Sequence, residues 1–149
     1  MIGNDMTEKR SRLHPVIKVK KFKEKKAHNE LIQIQAAREK ENTALHALTR
    51  QKDRAMDAAV RTIKARATEV QTSRAFIQKL SREIQQQEEE VENIKTRETE
   101  KREELSRKSQ SRKMVEKLEE KRKATLAKET ERKEQRLLEV LSRRLGPAF

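Results

Sequence analysis

The sequence predicts an all-α fold, a long two-helix antiparallel coiled-coil hairpin, and three observations carry that prediction. Residues 16–145 contain neither glycine nor proline, which cost a helix interior roughly 1 and 3 kcal/mol relative to alanine. Charged residues make up 42 % of the chain and hydrophobic residues only 32 %, and the aromatics are Phe22, Phe76 and Phe149 alone. So few large apolar groups cannot fill a layered core, but they can line a seam that needs about two apolar positions in seven. The third observation is a heptad periodicity, which a disordered charge-rich chain has no reason to keep.

Helix one is expected over about 13–66. Alternating steps of three and four place Leu31, Ile34, Arg38, Glu41, Leu45, Leu48, Lys52, Ala55, Ala59 and Thr62 on one seam, and the same phase runs back through Ala27, Glu24, Lys20, Ile17 and Leu13. Pro15 suits its first turn, where a missing N–H is harmless, and residues 1–10 are expected to be disordered. Helix two is expected over about 73–143. Its seam runs Ile77, Leu80, Ile84, Gln87, Val91, Ile94, Glu98, Lys101 and Leu105, weakens, and resumes around Val115, Leu118, Leu126, Leu137, Leu138 and Leu141. Gly146-Pro147 ends it. At 1.5 Å per residue the two helices would be about 80 Å and about 105 Å long, so the second should overhang the first.

Thr68, Thr72 and Ser73 cap helices well, and they place the turn at about 67–73. Paired residue numbers then sum to about 139. That register sets Ala59 against Leu80, Ala55 against Ile84, Leu48 against Val91, Leu45 against Ile94 and Ile34 against Leu105. It also gathers the polar seam positions, with Arg38 and Glu41 meeting Lys101 and Glu98, and Lys52 meeting Gln87. Polar layers cost stability but oppose slippage, because a slip strands a charge.

The net charge of +13 is unevenly placed. Residues 1–26 hold nine basic and three acidic groups, 27–94 hold eleven of each, and 95–149 hold eighteen basic and eleven acidic. A hairpin brings the two basic segments to one end, which should attract an acidic partner quickly and in a salt-dependent manner. Nucleic acid is disfavoured as that partner. The run KVKKFKEKK over 18–26 is basic, but the chain has no Tyr or Trp for base stacking and no recognition motif.

No catalytic residue, cofactor or metal is expected, and the chain does not read as an enzyme. There is no cysteine, and His14, His28 and His46 lack ligand spacing. No apolar run approaches a signal segment or a membrane span, so the expected location is the cytoplasm.

Three stretches, in order, resemble the FliJ family of flagellar type III export proteins. LHPVIKVKKFKEKKAHNEL over 13–31 has an apolar pair, a lysine-rich helix start and a step from Glu24 to Ala27. FIQKLSREIQQQEEEV over 76–91 is similar to the family's second-helix start, and KMVEKLEEKRKATLAKETERKEQRLLEVL over 113–141 to its basic ending. One departure is Leu138-Glu139, where many relatives carry Asp-Glu. The stalk proteins of virulence injectisomes, the YscO group, are the alternative, as is a generic structural coiled coil.

The resemblance implies a stalk whose open end enters the pore of the hexameric export ATPase and promotes its assembly and activity. It implies that the side near the bend contacts the cytoplasmic domain of the export gate, and that export chaperones also bind. The gate-contacting residues would be Phe76, Leu80, Glu83, Gln87, Leu48 and Gln51. The ring-contacting residues would be Lys20, Lys21, Arg122, Lys123, Arg132, Lys133, Arg136, Arg143 and Arg144. Such a protein works at the cytoplasmic face of the inner membrane and is peripheral to it through its partners. It is expected to be monomeric, with a dimer as the alternative.

Overall fold

A computed structural model describes residues 11–62 and 66–146. The described chain forms two helices, α1 (Leu13–Arg61) and α2 (Ala67–Leu145), which pair as an antiparallel helical hairpin. The expected disorder of 1–10 lies outside the described residues, as does Pro147. Two compact units divide the chain, one made of Met1–Lys25 with Ser106–Phe149 and the other of Lys26–Leu105. Each contains a piece of both helices.

Local chemistry sets the described helix ends. Ser11 opens α1, its hydroxyl accepting the Leu13 N–H at 3.1 Å and its carbonyl the His14 N–H at 3.0 Å. Pro15 falls in the first turn, where no intrahelical acceptor is lost. At the other end of the chain, Gly146 follows α2 with φ 66°, the left-handed conformation that glycine adopts without strain just past a helix.

The turn differs from the expectation. Residues 67–73 are not a turn but the first two turns of α2, whose opening N–H groups at Glu69 and Val70 bond the Arg66 carbonyl at 2.9 and 3.2 Å. The Thr72 hydroxyl donates to the Thr68 carbonyl at 2.9 Å, so it is satisfied inside the helix rather than at a cap. α1 correspondingly ends at Arg61, short of residue 66.

The register moves with the turn. In the Lys26–Leu105 unit Glu30 pairs with Lys101, Arg38 with Glu98 and Glu41 with Gln87. In the other unit Ser11 meets Glu119, Lys20 meets Ser111 and Glu24 meets Arg112. Paired numbers sum to about 132 rather than 139. Moving the reversal by about three and a half residues changes the sum by about seven, a full heptad, which leaves the apolar phase intact and changes who faces whom. Leu80 therefore lies level with Lys52 instead of Ala59. Of the expected quartet only Arg38 with Glu98 remains.

Buried apolar side chains follow the predicted seam. Ile17 is buried in the first unit, and Ala27, Leu31, Leu80, Val91 and Ile94 in the second. Each large one contributes about 1.5–3 kcal/mol. Leu118, read as a seam residue, is instead exposed, because the seam there passes through Val115 and Glu119.

Candidate partner-binding surfaces

Within the Lys26–Leu105 unit the seam carries a buried charge. Glu98 is 3 % exposed. Its Oε1 accepts from Arg102 Nη2 at 2.6 Å, and its Oε2 lies 2.6 Å from Arg38 Nη1. The second approach is off the line of the N–H bonds, so that ion pair is made without an aligned hydrogen bond, and Arg38 Nε also lacks a partner. Glu98 is thus held mainly from its own helix, with Arg38 supplying the cross-helix charge.

Nearby, Lys101 bridges Glu30 and Glu104, which raises its pKa and holds Glu30 below the usual carboxylate range. In the first unit Arg112 donates to Glu24 and, at 2.8 Å, to Glu116. Its hydrogen bond keeps the Glu24 pKa low.

The residues expected to contact the gate divide into two groups. Leu80 is the most completely buried large side chain, at 2 % exposed. The Gln87 amide donates to the Glu41 carbonyl at 3.1 Å and to its carboxylate. Both positions serve the hairpin's own seam: Leu80 presents almost nothing to a partner while the helices stay paired, and half-buried Gln87 has its amide committed to Glu41. Phe76 is 42 % exposed and Gln51 is exposed. Glu83 and Leu48 are half-buried, Glu83 lying 3.9 Å from Lys79. The cause is periodicity: Phe76 sits one residue before the seam position Ile77, and Leu80 sits on the seam itself.

The heptad reading also passed over other apolar side chains near the helix ends. Met56, Val60 and Val70 are exposed near the helix ends. An open depression of about 340 Å³ is lined there by Ala59, Thr62, Val70, Ser73, Arg74, Ile77 and Gln78. The signal was present in the sequence for Met56 and Val60, which are apolar residues off the seam phase, whereas Val70 stands one heptad before Ile77 on that phase.

The residues expected to contact the ATPase ring also divide. Lys20 donates to Ser111 at 2.6 Å, Lys21 lies 3.7 Å from Glu116 and Arg122 lies 3.7 Å from Glu119. These three are tied into the paired part of the hairpin. Lys123, Arg132, Lys133, Arg136, Arg143 and Arg144 are all exposed, with no ion pair among the described residues.

They stand on a stretch of α2, residues 123–145, in which every residue is exposed. Leu126, Leu137, Leu138, Val140 and Leu141 are exposed with them, and Leu145 is 82 % exposed. Facing charges at Glu129 and Lys133, and at Glu139 and Arg143, have the four-residue spacing that supports an isolated helix. Arg143 and Arg144 in the last turn complement the helix dipole.

Among the described residues no three His, Asp or Glu side chains gather as a metal site, and no helix is long and apolar enough to cross a membrane. What the molecule offers is surface.

A family model described as Flagellar FliJ protein matches residues 9–145, nearly the whole chain. No curated protein and no solved structure matches it.

Proposed function

The chain belongs to the FliJ family of flagellar proteins, a component of type III export, and on that premise we propose that it is an adaptor for the hexameric export ATPase. The C-terminal part of α2 enters the ring and promotes its assembly and activity, while the region around Phe76 contacts the cytoplasmic domain of the export gate. The flagellar family match favours this system over the injectisome. The family is a structural export component, so the reading asks for no chemistry at this chain. Its place of work is the cytoplasmic face of the inner membrane, and export chaperones are further partners.

One observation carries the reading: residues 123–145 of α2 are helical yet exposed on every side. A helix with no neighbour among the described residues that keeps leucines at Leu126, Leu137, Leu138, Leu141 and Leu145 is matched to a surface that covers them. Its exposed arginines and lysines suit an acidic or polar ring lip and speed the encounter. Near the other end of α2, exposed Phe76 supplies the apolar contact for the gate. Leu80 and Gln87 drop out of that contact, since both are engaged within the hairpin.

The test is hydrolysis by the export ATPase with and without this protein. Replacing Arg132, Arg136, Arg143 and Arg144 together by glutamate is expected to abolish stimulation at moderate salt. Helix content by circular dichroism should hold, because all four side chains are exposed. Undiminished stimulation rejects the assignment. Phe76→Ala is expected to weaken binding to the gate domain about tenfold.

A further inference from the structure

The first unit carries a second surface that neither the ring nor the gate contact uses. At about 100° per residue, Val16 and Val19 fall to one side of the α1 seam formed by Ile17, Lys20 and Glu24, and Lys21 and Lys25 fall to the other. On α2, Met114 and Leu118 fall to one side of the seam through Arg112, Val115 and Glu119, and Glu116 and Glu120 fall to the other. The ion pair of Lys21 with Glu116 shows which sides coincide. Val16, Val19, Met114 and Leu118 therefore share the opposite face. The contacts of Ser11 with Glu119 and of Lys20 with Ser111 bracket all four, so they lie over one stretch of the unit.

All four are well exposed, from 41 % at Val16 to 67 % at Met114. Phe22, more exposed still, lies at the outer edge of α1.

Charge on this face has one sign. In 11–25 and 106–122 the carboxylates are Glu24, Glu116, Glu119 and Glu120. Glu24 and Glu119 sit in the seam, paired with Arg112 and Ser11, and Glu116 and Glu120 project on the Lys21 side. The apolar strip is edged instead by Arg12, Lys23, Lys117 and Lys121, all exposed. Exposed aliphatic side chains rimmed by long cations, on helices lying side by side, match the interface of an anionic bilayer. There the apolar groups enter the headgroup boundary and the lysine stems keep their ammonium groups at the phosphates. A nucleic acid uses the cations but gains little from Val, Met and Leu, which cannot stack on bases.

We propose that this face of the first unit binds directly to anionic phospholipid, giving the protein its own hold on the membrane surface in addition to any hold through partners. The four apolar residues belong to neither the ring set nor the gate set, so the surface is separable from both.

Cosedimentation of the full chain with vesicles tests this. Binding is expected to equimolar phosphatidylcholine–phosphatidylglycerol vesicles and not to phosphatidylcholine alone. Val19→Gln with Leu118→Gln changes no charge and touches only exposed positions. It should keep the circular dichroism spectrum and lower the partition constant about tenfold. Lys23→Gln should lower it about fivefold, and Lys25→Gln, two residues away on the other face, clearly less.

Absence of binding, equal binding to both vesicle types, or equal losses in the two lysine variants with none in the apolar pair overturns the proposal. So does an apolar-pair variant that loses binding to single-stranded RNA while vesicle binding is unchanged, which assigns the face to nucleic acid.

Discussion

α2 is a single helix with two different lives. From Ala67 to about Glu119 it has α1 beside it, and Leu80, Val91, Ile94, Glu98 and Glu119 are buried. From residue 123 to Leu145 its leucines stand in water. Both stretches are highly charged and contain no glycine or proline, so local propensity keeps both helical. Burial tracks the presence of a neighbour rather than the apolar content of the helix. A leucine on the paired stretch is a stability residue, and a leucine on the unpaired stretch is available for binding.

The largest effect that can break this comparison is at Leu80. Leu80→Ala removes the most buried large side chain and is expected to cost about 2–4 kcal/mol, read as a lower denaturant midpoint. A loss below about 1 kcal/mol would mean that the paired stretch is no more packed than the free one.

Next comes Arg38→Ala, which leaves Glu98 buried with only Arg102 beside it. A cost of about 1–3 kcal/mol is expected, and replacing Arg38 by Met together with Glu98 by Leu should recover most of it. Failure of the double change to recover stability would show that the charge pair carries more than register.

Acid sharpens the comparison further. The pKa values of Glu24 and Glu30 lie below their ordinary 4.5 because Arg112 and Lys101 donate hydrogen bonds to them. A carboxylate whose folded pKa is lowered stabilises the fold above its unfolded pKa and loses that contribution as pH falls through the folded value. The thermal midpoint should therefore drop as pH goes below about 4.5. Glu24→Gln with Glu30→Gln should flatten the drop, and added salt should shrink it, since these groups are partly solvated.

The smallest expected effect is at Leu137. Leu137→Ala should change unfolding free energy by no more than about 0.5 kcal/mol. A larger loss, growing with protein concentration, would reveal that the free stretch is covered by a second copy of the chain.

The helical class, the seam phase and the surplus of α2 over α1 were legible because each is written in local spacing. Ile17, Leu31, Leu80, Val91 and Ile94 were all placed on seams by counting threes and fours, and all are buried. The turn was not legible. Thr68, Thr72 and Ser73 cap a helix or sit within one with similar ease, and Thr72 took the second course by bonding Thr68. The candidate surfaces were legible in part. Charge placement marked the basic end, but exposed Met56, Val60, Met114 and Val19 are visible only as departures from a phase whose register was unknown.

The sequence by itself determined that this chain would be helical, that its apolar groups would form narrow seams, and that its cations would collect in the first and last segments. Tertiary structure alone decided where the chain reverses, which heptad faces which, and which leucines remain exposed. The physical reason is the repeat itself. A slip of seven residues returns every seam position to a seam position, so local pattern cannot distinguish the two alignments. Only the particular partners met across the helices, such as Glu41 with Gln87 and Glu24 with Arg112, distinguish one alignment from the next.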